Sequence, residues 1–181
     1  MTSPNASLPA SPGISVILPV LNEQAHLEDS IRAILSQNYL GKFEVILALG
    51  PSRDSTNEIA RSLAAEDARV ILVENPSGRT AAGLNIALHA STQDVVVRVD
   101  AHAEIPNNYL QLVVEILGES GAVNVGGVMG AEGITFFETA VAAAMCSPFG
   151  VGGSKFHTGG KAGFVDTVYL GAFIRQAVVD V

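Results

Sequence analysis

The segment Asp94-Val-Val-Val-Arg-Val-Asp-Ala-His-Ala103 decides the fold of this 181-residue chain. Its first part, Asp94–Val99, is an apolar, β-branched run that predicts a buried strand. The run stops at Asp100 and His102, which lie two positions apart and can both reach one ligand from the end of that strand. This pattern indicates a cleft site for a divalent metal and a phosphate group. The alternative is that Asp100 caps a turn and His102 is merely a polar side chain.

Outward from this segment, short apolar strands alternate with helical patterns along the chain. Predicted strands cover residues 14–18, 43–49, 70–73, 94–99, 122–129 and 165–170, and predicted helices cover 23–36, 55–65, 80–90, 106–117 and 134–145. Several strands are continuous apolar runs, which predicts an α/β fold with a mainly parallel sheet covered by helices on both faces. Ligands of such sheets bind outside the carboxyl ends of the strands, so the strand-end residues are the candidates for function.

Local signals set the expected ends of several elements. Pro19 is expected to stop the first strand, and Asn22 is a candidate N-cap for the following helix. The spacing Ser55-x-x-Glu58 predicts a capping box. Residues 150–163 hold six glycines and predict a long mobile loop.

Composition and charge limit the classes of function. Hydrophobic residues make up 48% and charged residues 15% of the chain, which is typical of a globular domain. The net charge of −8 argues against a nucleic acid partner. A single cysteine, Cys146, excludes an internal disulfide and a Cys-based zinc site, predicts a cytoplasmic setting, and is expected to be a buried structural thiol. Residues 1–13 predict a disordered tail before a domain at 14–181.

Two further strand-end groups could bind a ligand. Arg79 follows Gly78 and precedes a helix, so a diphosphate would meet a fixed positive charge and helix N-terminal amides there. The alternative is a solvated loop arginine. Pro19, Asn22 and Glu23 form a tight turn after the first strand, although Asn22 could serve only as a helix cap.

Taken together, these residues resemble the family 2 glycosyltransferases of the GT-A fold. The resemblance rests on the first-strand segment 14–23, the second strand with its Ser-x-Asp-x-Thr turn at 43–56, the segment 75–85, and the Asp-x-Asp-like segment 97–103. The Asp-Ala-His-Ala form and the segment 166–175 are similar to the succinoglycan-type exopolysaccharide branch.

The resemblance implies a metal-dependent, inverting glycosyltransferase. It would transfer a sugar from a nucleotide-sugar donor, UDP-linked, to a saccharide or lipid-linked acceptor in exopolysaccharide or cell-envelope glycan synthesis. Pro19, Asn22 and Glu23 would border the nucleoside, and Arg79 would lie near the base or the diphosphate. Asp100, with His102, would hold the Mg²⁺ or Mn²⁺ that bridges the diphosphate.

Two departures from the family pattern affect these expectations. Leu49 occupies a position where many members carry an aspartate for the nucleotide base, and a leucine accepts no hydrogen bond. The family's catalytic base is a carboxylate downstream of the Gly171-Ala-Phe-x-Arg175 segment, which is expected beyond Val181. The chain is therefore expected to be the donor-binding, N-terminal portion of a GT-A domain that is incomplete at its C-terminus, with the catalytic residue unknown.

Other hypotheses remain at this point. The chain could be a truncated, non-catalytic remnant that binds nucleotide or a partner without turnover. A nucleotidyltransferase would need a basic Gly-rich loop directly after the first strand, and Pro19–Glu23 does not supply one. Peripheral association with the inner face of the membrane is a further hypothesis, because enzymes of this kind act on lipid-linked acceptors.

Overall fold

Six strands form one sheet in the computed structural model, which describes residues 8–131, 133, 135–151, 155–159 and 161–179. The strands are β1 Ile14–Val20, β2 Phe43–Leu49, β3 Val70–Glu74, β4 Val95–Arg98, β5 Asn124–Gly127 and β6 Tyr169–Ile174. The longer helices are α1 Leu27–Leu35, α2 Thr56–Glu66, α3 Thr80–Ala90, α4 Tyr109–Ser120 and α5 Phe136–Met145. Single turns of helix form α6 Pro148–Val151, α7 Lys155–Thr158 and α8 Gln176–Val179.

The strand order is β3-β2-β1-β4-β6-β5. Strand β1 pairs in parallel with β2 and β4, and β2 pairs in parallel with β3. Strand β6 runs antiparallel to β4, with Val95 opposite Ile174. The predicted α/β fold with a mainly parallel sheet is confirmed, and one antiparallel strand is added to it.

The central strands are buried on both faces of the sheet. Ile17 and Ile46 share a buried cluster with Ala87 of α3 on one face. Val16 and Leu47 point to the opposite face, because side chains alternate along a strand, and they too are fully buried. This two-sided burial explains why the strands are continuous apolar runs in the sequence.

Strand β1 continues through Pro19, so the predicted stop at this proline is wrong. The carbonyl of Val20 accepts from the N–H of Gly50 on the β2 side, while the carbonyl of Ile17 accepts from the N–H of Val99 on the β4 side. Backbone groups alternate between the two sides, so the nitrogen of Pro19 faces β4. The pairing with β4 ends at Ile17, and no ladder hydrogen bond is lost there.

Two predicted helix caps are replaced by other contacts. Asn22 has a positive φ of 56°, and its Oδ1 accepts from the N–H of Arg53 at 2.8 Å, while α1 begins only at Leu27. At α2 the side chain of Ser55 makes no capping hydrogen bond. The carboxylate of Asp54 accepts from the N–H of Thr56 instead, at 3.1 Å.

The chain divides into two compact units, one of residues 1–125 with 172–181 and one of residues 126–171. In the second unit the ring of Phe156 stacks on Tyr169, with 6.4 Å between centroids, and the carbonyl of Phe156 accepts from Met129. A long mobile loop was predicted for residues 150–163. The described part of this range instead includes residues of the short helices α6 and α7.

Two further expectations fail in or near this second unit. Cys146 is exposed, not buried, because it follows α5, in which only Ala142 is buried among the described residues. The last strand covers Tyr169–Ile174 instead of 165–170, because its pairing with β4 runs through Ala172 to Ile174.

Candidate functional site

A cleft of about 290 Å³ lies in the first unit, where β1 and β4 end. This is the edge of the sheet at which the sequence predicts a site. The polar side chains that line the cleft are Glu23, Asn75, Thr80, Arg98, Asp100 and His102. Pro19 and Leu21 add apolar surface on the β1 side.

Asp100 is held by an arginine two residues before it. Nε and Nη2 of Arg98 both donate to Oδ1 of Asp100, at 3.1 and 3.0 Å. Residues two apart at a strand end point to the same side, so the β4 backbone itself positions this pair. The side chain of Asp100 is 21% exposed and that of Arg98 39%, which leaves the pair open to a ligand in the cleft.

A second pair links the ends of the two strands. Nδ1 of His102 lies 3.0 Å from Oε1 of Glu23, so the turn after β1 is joined to the turn after β4. The N–H of Glu23 donates to Oγ1 of Thr56 at 2.7 Å, which anchors the β1 turn to α2. Through these contacts the two turns present their side chains to one cleft.

The other predicted site residues occupy different places. Arg79 is the exposed residue that precedes α3, and it does not line the cleft, although Gly78 and Thr80 on either side of it do. Asn22 uses its side-chain oxygen on Arg53 and also lies outside the lining. Leu49 is only 2% exposed, so it offers no surface to a nucleobase.

Arg98 and Asn75 line the cleft but were not predicted. Asn75 is 2% exposed, and its Nδ2 donates to the carbonyl of Arg79 at 3.1 Å, which shapes the loop before α3. The signal for Arg98 was present in the sequence, because it stands at the same strand-face position as Asp100.

The cleft supplies few ligand atoms for a cation. Across the described ranges, no group of three or more His, Cys, Asp or Glu side chains could hold a metal ion. A Mg²⁺ ion that bridges substrate phosphates needs only one or two protein carboxylates, and the phosphates and water complete its coordination. The carboxylate of Asp100 and the imidazole of His102 suit that limited role.

The family model described as Glycosyl transferase family 2 matches residues 15–177. The chain belongs to this family. The family 2 resemblance of the strand-end motifs is thereby confirmed.

Among curated relatives, the family 2 chain is 37% identical to the succinoglycan biosynthesis protein ExoA of Rhizobium meliloti over 146 residues, which cover 80% of this chain and 44% of that protein. It is 31% identical to glycosyltransferase AglE of Haloferax volcanii over 64% of this chain and 39% of that protein. The chain spans less than half the length of these two relatives.

Solved structures confirm the GT-A fold. The mannosyltransferase PcManGT from Pyrobaculum calidifontis, in complex with GDP-Man and Mn²⁺, matches 94% of this chain and 46% of that one, with a TM-score of 0.68 and 25% identity. Glucosyl-3-phosphoglycerate synthase of Mycobacterium tuberculosis matches 92% of this chain and 58% of that one, with a TM-score of 0.59 and 21% identity.

The side chain of Thr56 fixes the turn after β1 in this family 2 chain. Removal of its hydroxyl tests how much this turn contributes to stability. Its hydroxyl donates to Asp54, which holds the pKa of that carboxyl below its usual range, and accepts from Glu23. Thr56→Val should leave the N–H of Glu23 unpaired and cost about 1–3 kcal/mol in unfolding free energy at pH 7. Urea denaturation measures this loss. The control Ser62→Ala, which removes an exposed hydroxyl from the same helix, should change stability by less than about 0.5 kcal/mol.

The same variant should alter the response to acid. A lowered folded-state pKa contributes stability that is present above the unfolded pKa and lost as pH falls through the folded pKa. Thr56→Val should therefore raise the pKa of Asp54 toward its usual range and flatten the loss of stability on acidification. A carboxyl NMR titration in which the pKa of Asp54 stays where it is in the wild type would contradict this explanation.

The loop before α3 depends on a glycine. Gly78 has a positive φ of 63°, and a Cβ there would lie 3.2 Å from Cδ of Pro51, whereas Gly121, at 65°, has nothing within 4 Å of such a Cβ. Gly78→Ala should lower the unfolding free energy by the roughly 1–2 kcal/mol that the left-handed conformation costs an alanine, and by a further amount because of crowding against Pro51. Gly121→Ala should lower it by the left-handed strain alone. If the cleft binds a nucleotide, only Gly78→Ala should weaken that binding, which calorimetry measures. Equal losses of stability with unchanged binding would contradict a role for this loop in the cleft.

Proposed function

We propose that this chain binds the nucleotide-sugar donor of a glycosyltransferase that transfers a sugar to a saccharide or lipid-linked acceptor in exopolysaccharide or cell-envelope glycan synthesis. The observation that carries the proposal is the convergence of Glu23, Arg98, Asp100 and His102 in one cleft at the ends of β1 and β4. Family membership and the similarity to a succinoglycan biosynthesis protein support it.

The cleft residues would divide the work of donor binding. Pro19 and Glu23 would border the nucleoside from the lining of the cleft. Asn22 and Arg79 lie outside the lining but between residues that belong to it, so they would contact the parts of the donor that extend beyond it, Asn22 the nucleoside and Arg79 the base or the diphosphate. Asp100, with His102, would hold Mg²⁺ or Mn²⁺. The cation would supply Lewis acidity that stabilises the charge on the departing nucleoside diphosphate. The solved structure of PcManGT, which is a complex with GDP-Man and Mn²⁺, supports a nucleotide sugar and a divalent cation as the ligands.

Transfer with inversion needs a base that takes the proton of the acceptor hydroxyl. The two cleft carboxylates are already engaged, Glu23 by His102 and Asp100 by Arg98, and we assign neither of them that role. The proposal for these residues is therefore donor binding and support of the leaving group.

The nucleotide is proposed to be UDP, with GDP as the comparison. Leu49 is buried, so the base must be recognised by other groups of the cleft wall. Isothermal calorimetry with UDP and with GDP, each with Mn²⁺ and with EDTA, tests donor binding. UDP is expected to bind with Mn²⁺ more tightly than with EDTA. Absence of binding for both nucleotides under both conditions would overturn the proposal.

Turnover separates an enzyme from a remnant. With a UDP-sugar and Mn²⁺, the proposed enzyme should release UDP by transfer to an acceptor or to water. A chain that binds UDP and releases none would instead be the non-catalytic remnant. Coupled detection of free UDP measures the difference.

We propose further that the protein acts in the cytoplasm in peripheral contact with the membrane. Among the described residues, every helix is too short or too polar to span a bilayer. Support comes from the second unit, where four phenylalanines are largely exposed: Phe136, Phe137, Phe149 and Phe164.

Flotation with vesicles of phosphatidylethanolamine and phosphatidylglycerol tests this contact. The wild type should float with the vesicles, and the double variant Phe136→Ser, Phe137→Ser should float less, because apolar side chains insert at the interface. Leu40→Ser is the control, since Leu40 is 98% exposed but lies in the first unit. A wild type that stays in the soluble fraction would contradict peripheral binding.

A further inference from the structure

Arg98 is the one lysine or arginine that lines the cleft within the described ranges. It ends β4, and its Cα stands in register with Ile17 of β1. Its side chain therefore leaves the sheet on the same face as that of Ile17. Both of its hydrogen bonds to the carboxylate of Asp100 end on Oδ1. Oδ2 of Asp100 receives no hydrogen bond from any residue that the structure describes, so it is open to a cation.

The negative charges of the cleft would repel a diphosphate, and Arg98 offsets part of this repulsion. A nucleoside diphosphate brings at least two negative charges into a cleft that already holds the carboxylates of Glu23 and Asp100. At a few ångströms, each like-charge contact near a protein surface is strongly unfavourable. The guanidinium of Arg98 offsets the charge of Asp100, whereas Glu23 has the imidazole of His102 as its neighbour.

A guanidinium is also suited to phosphate. Its donors form a planar fork that matches phosphate oxygens and carries a permanent charge. The side chain of Arg98 is 39% exposed, so it has room to reorient toward the cleft. A divalent cation on Asp100 would compete with the guanidinium for that carboxylate and so favour such a reorientation.

We propose that Arg98 is a direct contact for the donor diphosphate and that it shares Asp100 with the divalent cation. Without the cation, Arg98 neutralises Asp100 and keeps the cleft open to an anionic ligand. With the cation on Asp100, the guanidinium turns to a phosphate oxygen. This inference rests on the proposed function, because it concerns the same donor.

UDP binding should have two parts, one that persists in EDTA and one that requires Mn²⁺. Arg98→Met keeps the length of the stem and removes the charge, so it should weaken UDP binding in EDTA at least tenfold. The same variant should bind Mn²⁺ more tightly without nucleotide, since Asp100 loses its competing cation. Arg61→Met is the matched control, because Arg61 is exposed on α2 and does not line the cleft.

Asp100→Asn provides the opposite test and does not depend on Arg98→Met folding. It frees the guanidinium from its carboxylate, so UDP binding in EDTA should become severalfold tighter than in the wild type, while the effect of Mn²⁺ disappears. Removal of the carboxylate also relieves its own repulsion of the diphosphate, so the double variant Arg98→Met, Asp100→Asn is needed for comparison. If Arg98 served only to hold Asp100 in place, the double variant would bind UDP in EDTA as tightly as Asp100→Asn alone.

Calorimetry measures the UDP affinity of each variant, and electron paramagnetic resonance measures its Mn²⁺ affinity. Together they test the role of Arg98. Wild-type binding of UDP, together with no change in EDTA binding for either variant, would overturn the role of Arg98 and leave the proposed function intact. A wild type that binds neither UDP nor GDP under any of these conditions would overturn both. Circular dichroism melting confirms that each variant is folded.

Discussion

Asp100→Ala is expected to abolish the gain in UDP affinity that Mn²⁺ brings, a loss of about 100-fold in the presence of the cation. The carboxylate of Asp100 lies in the cleft with one oxygen bonded to Arg98 and the other open. Losing a residue that merely orients a metal ligand costs 10–100-fold in affinity, and the loss of a ligand itself should reach the upper part of that range. Calorimetry with UDP, in Mn²⁺ and in EDTA, measures the change.

The control for this variant is Asp29→Ala. Asp29 is an exposed aspartate in the first turn of α1, so its removal changes the net charge equally without touching the cleft. It should leave the Mn²⁺ effect intact. If Asp100→Ala and Asp29→Ala respond to Mn²⁺ alike, Asp100 does not hold the cation.

Leu47→Ala should lower the unfolding free energy by about 2–5 kcal/mol. Leu47 is fully buried in β2 and stands in register with Leu18 of β1 and Leu72 of β3. Its removal leaves a cavity between covered strands that cannot collapse easily. Since small domains have only about 5–15 kcal/mol of total stability, this loss should be visible as a large fall in the urea midpoint.

Leu40→Ala makes the same chemical change at a site that is 98% exposed. It should alter the unfolding free energy by less than about 0.5 kcal/mol. Comparable losses for the two variants would mean that the centre of the sheet is not the core of the fold.

The parts that sequence could predict share one physical cause. Strands such as Val45–Leu49 and Val95–Val97 are continuous apolar runs because both faces of the sheet are covered, and that pattern is local. Asp100 follows such a run directly, so its place at the strand end could be predicted as well. Burial on both faces therefore made the sheet predictable, and the sheet made it possible to predict the edge where the cleft lies.

The errors arose where another contact replaces the one that a local signal predicts. Asn22 matches an N-cap by its neighbours, but its side chain bonds the backbone of Arg53, 31 residues away. Ser55 has capping-box spacing, yet Asp54 accepts the hydrogen bond.

The antiparallel pairing of β6 with β4 has a consequence for synthesis of the protein. Val95 pairs with Ile174, which leaves the ribosome 79 residues later. At 5–20 residues per second, the outer edge of β4 stays without its partner for about 4–16 s. Unpaired strand edges template aggregation, so this interval should be the most vulnerable stage of biogenesis. Nascent chains stalled between these two residues are therefore the species most in need of a chaperone.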